Sequence, residues 1–367
     1  MPADEPSWWY GTDRTAAARL LRPAARVWGW AAQRRVENAK PRRSSLPVIC
    51  IGNFTAGGTG KTPLAIYVAR ALLAAGEHPA FLSRGYRGRH AGPRRVDPVL
   101  DSARDVGDEP LLLTAVAPTI ISRDRAQGAA LIEAEAGLAP PTVIVMDDGL
   151  QNPSLHKDLS IAVVDGRRGV GNGEVIPAGP LRAPLAFQLG LADVLLVNRP
   201  RSEAAGTNGI GALLRQRFQG PVLEAWVEPA GEPQQFSGQR VLAFSGIANP
   251  ERFFSLLREL GADVVDTVTY PDHHLFTAAE ARHALARARE LDARLVTTEK
   301  DLVRLPAGNG ALADLRKAAH VLPVVLTMER RDSLRLASLI DAALAGSRSH
   351  ASGLTAAAAS RGSRGSG

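Results

Sequence analysis

One cysteine, Cys50, stands among 367 residues. A lone cysteine excludes a disulfide framework and fits a reducing compartment. No run of eighteen apolar residues occurs, so no transmembrane helix is expected. The start, Met1-Pro-Ala-Asp-Glu-Pro, carries early acids and no apolar stretch, which argues against a secretory signal. Charge of one sign is scarce too, outside a single segment. Residues 11–43 hold nine basic side chains against two acidic ones, which is the whole net charge of +7, and the rest of the chain carries 35 of each. A body without charge excess and without a nucleic-acid-binding module gives no reason to expect a nucleic-acid partner. What remains, 45% hydrophobic and 22% charged residues, is an ordinary α/β composition long enough for two domains.

The basic segment is also aromatic and amphipathic. Trp8, Trp9, Tyr10, Trp28 and Trp30 lie in it or just before it. On a helix, Leu20, Leu21, Ala24, Val27, Trp28 and Ala31 share one face and Arg19, Arg22, Arg26 and Arg34 the other, with Pro23 interrupting. That pattern predicts an arm over residues 1–45 that lies in an anionic membrane surface. A helix packed on the body with solvated arginines is the plainer alternative.

From Leu46 short apolar runs alternate with helical stretches, as in a mostly parallel sheet with helices on both faces. Strands are expected at 46–52, 79–82, 119–122, 143–147, 160–164 and 193–197, and helices at 61–75, 109–116 and 124–136. This gives a nucleotide-binding domain over 46–205. Residues 206–236 read as a linker region, rich in Gly, Pro and Gln. A smaller α/β domain is expected over 237–345, with strands 240–244, 263–268, 294–297 and 322–326 and helices 250–260, 277–290 and 332–345. The Ser/Gly/Ala/Arg-rich tail, 346–367, reads as disordered.

Three elements carry chemistry. The first is Asn53-Phe-Thr-Ala-Gly-Gly-Thr-Gly-Lys-Thr-Pro, between a strand and a helix. Glycines let backbone N–H groups from Thr55, Ala56, Gly57, Gly58, Thr59 and Gly60 converge on phosphate at a helix N-terminus. Lys61 then reaches the β- and γ-phosphates of ATP, and the Thr62 hydroxyl ligates Mg²⁺. Thr55 stands where a phosphate loop usually has glycine. The second is Val143-Ile-Val-Met-Asp-Asp, an apolar strand that delivers Asp147 and Asp148 to the ligand crevice, one of them to hold Mg²⁺. The third is Val106-Gly-Asp-Glu-Pro, where Asp108 reads equally as a helix N-cap and as a proton acceptor in phosphoryl transfer. Arginines in Ser83-Arg-Gly-Tyr-Arg-Gly and Ser122-Arg-Asp-Arg suit phosphate neutralisation or surface ion pairing. Pro271-Asp-His-His lacks a cysteine cluster, so zinc is not expected, and one histidine is free to pair with a carboxylate.

In their order these pieces resemble the tetraacyldisaccharide 4'-kinase (lipid A 4'-kinase) family. The resemblance runs from about Trp8 to Leu344 and adds Asn172-Gly, Pro177-Ala-Gly-Pro-Leu-Arg, Gly246-Ile-Ala-Asn-Pro-Glu-Arg-Phe-Phe, Asp272-His-His and Thr298-Glu-Lys-Asp. It implies a peripheral enzyme on the cytoplasmic face of a Gram-negative inner membrane. That enzyme moves the ATP γ-phosphate to the 4'-hydroxyl of an acylated disaccharide 1-phosphate lipid and gives lipid IV(A). The resemblance implies Asp108 as base with His273 as partner, and Lys61 on the phosphates. It places Thr62, Asp147, Asp148 and Gln151 at the Mg²⁺ site, and Arg123, Arg182 and Asn172 on the substrate. It also implies two domains joined by a two-stranded linker, and the expected assembly is a monomer. Two departures stand out. Ala183 replaces a usual glutamate, for which Glu174 or a water is a candidate stand-in, and Arg87 replaces a common glycine. The rival readings are a membrane-cycling ATPase of the deviant phosphate-loop class, whose extra lysine is replaced here by Ala56, and a non-catalytic membrane-binding scaffold.

Overall fold

A computed structural model describes residues 6–11, 15–137, 139–201 and 209–362. Asp13 and Arg14 of the arm, the first residues of the expected linker and the last five of the tail lie outside the described residues. Thirteen strands are described: β1 (Val48–Asn53), β2 (Pro79–Ser83), β3 (Arg94–Arg95), β4 (Thr119–Ile121), β5 (Val143–Asp147), β6 (Leu159–Asp165), β7 (Val194–Asn198), β8 (Val222–Pro229), β9 (Arg240–Ser245), β10 (Asp263–Thr269), β11 (Arg294–Thr297), β12 (His320–Val321) and β13 (Val324–Met328).

Nine of them form one sheet in the order β13-β8-β7-β6-β1-β5-β2-β4-β3. Its seven inner strands run parallel, and β13 and β3 pair antiparallel at the two edges. β1 and β5 are apolar on both faces, as strands covered on both sides must be. Ile49, Ile51, Val143 and Val145 point to one layer with Leu64, Val68 and Leu72 of the helix Lys61–Ala74. Val48, Cys50, Ile144 and Met146 point to the other, against Ala129 and Ile132 of the helix Arg125–Glu133. The chain leaves β1 towards β2 and β4, returns through β5 and crosses to β6. A ligand crevice is expected where the strand order turns, beyond the carboxyl ends of β1, β5 and β6.

The second sheet, β10-β9-β11-β12, is parallel. Helices Pro250–Glu259 and Ala278–Glu290 pack on it through Phe253, Phe254 and Leu257 and through Ala281, Ala284 and Ala288.

The division of the chain differs from the sequence-based one in three places. Residues expected as an irregular linker contain the helix Ile210–Arg217 and β8, which continues the large sheet beside β7. The strand expected within the smaller domain is β13, and it pairs with β8 instead. The following helix then packs Leu336, Ile340 and Leu344 into the core of the large domain. The alternation of apolar residues marks a strand but does not say which sheet edge it joins. The third difference is the tail. The helix that begins at Arg330 is continuous to Gly362, consistent with the high helix propensity of its alanines.

The arm is a helix, Ala16–Glu37, with Thr15 as N-cap and Pro23 inside it. Only its small residues, Ala18, Ala25 and Gly29, are buried against the body. The apolar face is therefore not the packed one: Leu20 is 81% exposed, Val27 66%, Trp28 55% and Trp30 62%. No helix among the described residues is long and apolar enough to cross a membrane.

Candidate active site

A cleft of about 1650 Å³ opens between the two domains at the carboxyl end of the large sheet. Ala56, Gly57, Gly58, Thr59, Gly60, Lys61 and Thr62 line it. The loop they form is braced from three sides. The Asn53 side-chain amide donates to the Thr55 carbonyl at 2.8 Å, and Ala56 N donates to Pro180 O at 2.8 Å. The Asn198 amide at the end of β7 donates to Thr59 O at 3.1 Å. Gly60 has φ +96°, and a Cβ there would sit 2.4 Å from Asn198 Nδ2, so both the backbone twist and the close approach require glycine. Thr55 is accommodated because it pairs with Leu181 as an isolated bridge rather than turning tightly.

Asp147 and Asp148 end β5 and diverge. Asp148 adopts φ +51° and meets Arg182 Nη1 at 2.6 Å and Lys61 Nζ at 3.9 Å. Burial would raise its carboxyl, but Arg182 and Lys61 outweigh that and hold it well below the usual range. Burial lowers Lys61, with Asp148 opposing. Asp147 is 3% exposed, and its Oδ1 is buried without a hydrogen-bond partner. Burial, then the charge of Asp148, pushes it up to about 7. A buried unpaired carboxylate oxygen at a strand end is costly unless something binds it. Hard oxygen donors of this kind, with the Thr62 hydroxyl on the same cleft, suit Mg²⁺.

Across the cleft, Asp108 begins the helix Asp108–Thr114 and meets the smaller domain. His273 Nδ1 lies 3.0 and 2.9 Å from its two carboxylate oxygens. His273 holds this place with φ +60° and an edge-on contact with Tyr86. Arg304 donates to Asp108 through Nε at 2.9 Å and also through Nη2. Lys300 Nζ pairs with Glu109 at 2.6 Å. Burial would raise Asp108, but Lys300, the side chains of His273 and Glu109, and Arg304 together hold it below the carboxylate range. His273 and Glu109 line the cleft wall, whereas Asp108 stands behind them, 3% exposed.

Of the remaining expected site residues, Arg123 and Arg182 line the cleft, Arg123 exposed and Arg182 reaching Thr55 O at 3.1 Å through Nε. Gln151 is present too, but its amide nitrogen is committed to Asn53 O at 2.7 Å and Gln188 Oε1 at 2.6 Å. Asn172 departs from its expected role. Its side chain donates to Ala178 O at 2.9 Å and accepts from Glu174 N at 3.0 Å, so it holds the 172–181 loop together rather than facing the cleft. Glu174, the candidate stand-in for the absent glutamate, pairs with Arg22 of the arm at 2.9 Å and is not among the residues lining the cleft. Ala183 itself is buried, and its carbonyl accepts from Gln188 at 2.7 Å. Arg87 occupies its glycine-like position with φ +62° and donates to Asp272 O at 2.6 Å. The residues missed from sequence are Glu109, Lys300 and Arg304. Two of them lie in quoted motifs, Gly-Asp-Glu-Pro and Thr-Glu-Lys-Asp, whereas nothing around Arg304 distinguishes it.

The arm reaches the same cleft. Trp9, Tyr10, Trp28 and Arg35 line it, and Trp9 Nε1 donates to Pro177 O at 3.2 Å.

The chain is similar to known proteins along most of its length. The family described as LpxK, tetraacyldisaccharide-1-P 4'-kinase, matches residues 17–345. The tetraacyldisaccharide 4'-kinase of Parvibaculum lavamentivorans is 49% identical over 327 residues, 87% of this chain and 92% of that one. That of Rhodospirillum centenum is 49% identical over 337 residues, 90% of this chain and 94% of that one. A crystal structure of LpxK from Aquifex aeolicus in complex with ATP is similar with a TM-score of 0.69 and 25% identity, covering 89% of this chain and 99% of that one. With a phosphate loop, paired aspartates and a carboxylate–histidine pair in one cleft, and with these relatives along nearly its whole length, the chain belongs to the tetraacyldisaccharide 4'-kinase family.

Proposed function

We propose that this cleft carries out the family's 4'-kinase step of lipid A biosynthesis as an in-line transfer between two walls. ATP lies along the phosphate loop, with backbone N–H groups of residues 56–60 and Lys61 on its phosphates. The acceptor, a tetraacylated disaccharide 1-phosphate, approaches from the side of the arm. Its 4'-oxygen forms the new bond to the γ-phosphorus as the bond from that phosphorus to the β-bridging oxygen breaks. ADP leaves, and the hydroxyl proton passes to the Asp108–His273 pair, whose His273 lies at the cleft wall.

The residues present fit Mg²⁺: Asp147 with its unpaired buried oxygen and Thr62 would hold it, and Asp148 would set the charge around it. When bound, the ion supplies charge neutralisation on the phosphates. Lys61, Arg182 and Arg123 supply the protein's share of that neutralisation. Asp148 keeps Lys61 and Arg182 together at the mouth of the loop.

A peripheral place on the cytoplasmic face of the inner membrane follows from the same reading, since the acceptor is an acylated lipid. The exposed apolar face of the arm, flanked by Arg19, Arg26 and Arg34, supports it. The single observation that carries the proposal is the Asp108–His273 pair in the same cleft as the phosphate loop. An ATPase without an acceptor has no need of that pair, and no observation favours the scaffold. Transfer of label from γ-labelled ATP to the disaccharide lipid, lost in Lys61→Ala, tests it.

A further inference from the structure

Among the described residues, Arg304 is the most buried cation that touches the proposed reacting groups, with a side chain 1% exposed. Every polar bond it makes in this cluster is specific. Nε and Nη2 grip Oδ2 of Asp108, while Nη1 donates to Gly246 O at 2.6 Å and to Asp301 Oδ1 at 2.8 Å. Asp301, in turn, is 0% exposed and fully engaged. It accepts from Ser245 Oγ at 2.9 Å, Thr298 Oγ1 at 2.7 Å and Gly246 N at 3.0 Å. Gly246 O also receives His273 N at 3.0 Å. Arg304 and His273 are therefore anchored on one small-domain backbone point, and both act on one large-domain carboxylate.

We infer that Arg304 is a positioning residue of the transfer reaction, a buried clamp that fixes the Asp108 carboxylate against His273 when the two domains meet. The inference rests on the reading of Asp108–His273 as the proton acceptor. An arginine used only to join the domains has no need of a dedicated buried carboxylate behind it, and a planar guanidinium held by Asp301 and Gly246 on one side presents Nε and Nη2 to Asp108 Oδ2 in a fixed direction as well as with charge. A buried pair of this kind adds little to stability over an apolar replacement, so an orienting task is a better reason for it. The charged and titratable groups around Asp108 are Lys300, Arg304 and Asp301 of the small domain, His273, Asp272 and Tyr86 at the wall, and Glu109 on its own helix. Removing Arg304 takes away one of the groups that hold Asp108 low against the opposing effect of burial, so its protonation moves towards higher pH.

The test uses the full chain in detergent with γ-labelled ATP and tetraacyldisaccharide 1-phosphate, and the variants Arg304→Lys and Arg304→Ala. The expected result is a fall in kcat of about 100-fold for Arg304→Ala and a smaller fall for Arg304→Lys. KM for ATP stays within about twofold, as for an interaction needed in the transition state. The acid limb of kcat against pH moves to higher pH, and guanidinium at roughly tens of millimolar, far below denaturing strength, restores part of the activity of Arg304→Ala. Unchanged kcat in both variants overturns the inference. So does a loss of activity with the acid limb unmoved and no guanidinium rescue, and so does failure of both variants to fold, since each makes Arg304 purely structural. If the unaltered protein labels no lipid, it is the underlying reading of the reaction that fails.

Discussion

His273 Nδ1 lies 2.9 Å from Asp108 Oδ2 although 165 residues separate them and each belongs to a different sheet-centred domain. The pair exists only while the domains are docked, so the proposed proton acceptor is assembled from two halves. His273→Ala is predicted to lower kcat by about 100-fold or more while leaving ATP affinity nearly unchanged. Single-turnover transfer alongside nucleotide binding checks this, and near-normal turnover would remove the pair from the chemistry.

Asp147 carries a pH signature. Its folded-state value, pushed up to about 7 by burial and Asp148, lies above the ordinary 3.8. The folded state therefore binds a proton that the unfolded state has released between those two values. The stability that this proton brings is complete below the unfolded value and is lost as pH rises through about 7. Asp147→Asn cannot lose it. Without nucleotide or metal, Asp147→Asn is predicted to gain Tm relative to the unaltered protein between pH 5 and pH 8, and to be inactive in transfer. A Tm difference that is flat across that range would contradict the assignment. Mg²⁺ binding at neutral pH should also release protons, readable by calorimetry in two buffers of different ionisation heat.

The phosphate loop has a steric prediction of its own. Gly60→Ala places a Cβ 2.4 Å from Asn198 Nδ2 at a φ of +96°. The strain is of the order of 1–3 kcal/mol, and it is relieved only by moving the loop. ATP affinity should fall roughly tenfold or more, and Asn198→Ala should rescue it only in part, because the backbone twist remains. Full rescue would show that the clash alone matters.

For the arm, replacing Leu20, Val27 and Trp30 together by serine should weaken binding to vesicles rich in anionic lipid by roughly tenfold or more, with the fold intact, because these side chains are exposed and the docking is done by Ala18, Ala25 and Gly29. Replacing Arg19 and Arg26 should weaken it chiefly at low salt. Binding that survives the triple change would place the membrane contact elsewhere.

How much of this was legible in the sequence depended on distance along the chain. The phosphate loop and Asp147–Asp148 are local arrangements whose expected roles follow from their neighbours in the chain, and the structure places them on one cleft. Strand and helix positions were readable for the same reason. The destination of β13 was not, because Val324–Met328 has the same apolar pattern whichever sheet it joins. β8 was hidden by the Gly/Pro-rich residues around it and by its alternating Glu224, Trp226 and Glu228. Asn172 does not line the cleft, and an asparagine beside glycine reads alike in a ligand loop and in a loop that holds itself together. Arg304 left no local mark at all, as its partner Asp108 lies 196 residues away.

The most direct test of the account is phosphate transfer itself. The full chain in detergent, given γ-labelled ATP, Mg²⁺ and tetraacyldisaccharide 1-phosphate, is predicted to label the lipid, and Lys61→Ala to lose that labelling. ATP hydrolysis without labelled lipid, or no turnover at all by a folded protein that binds ATP, would contradict it.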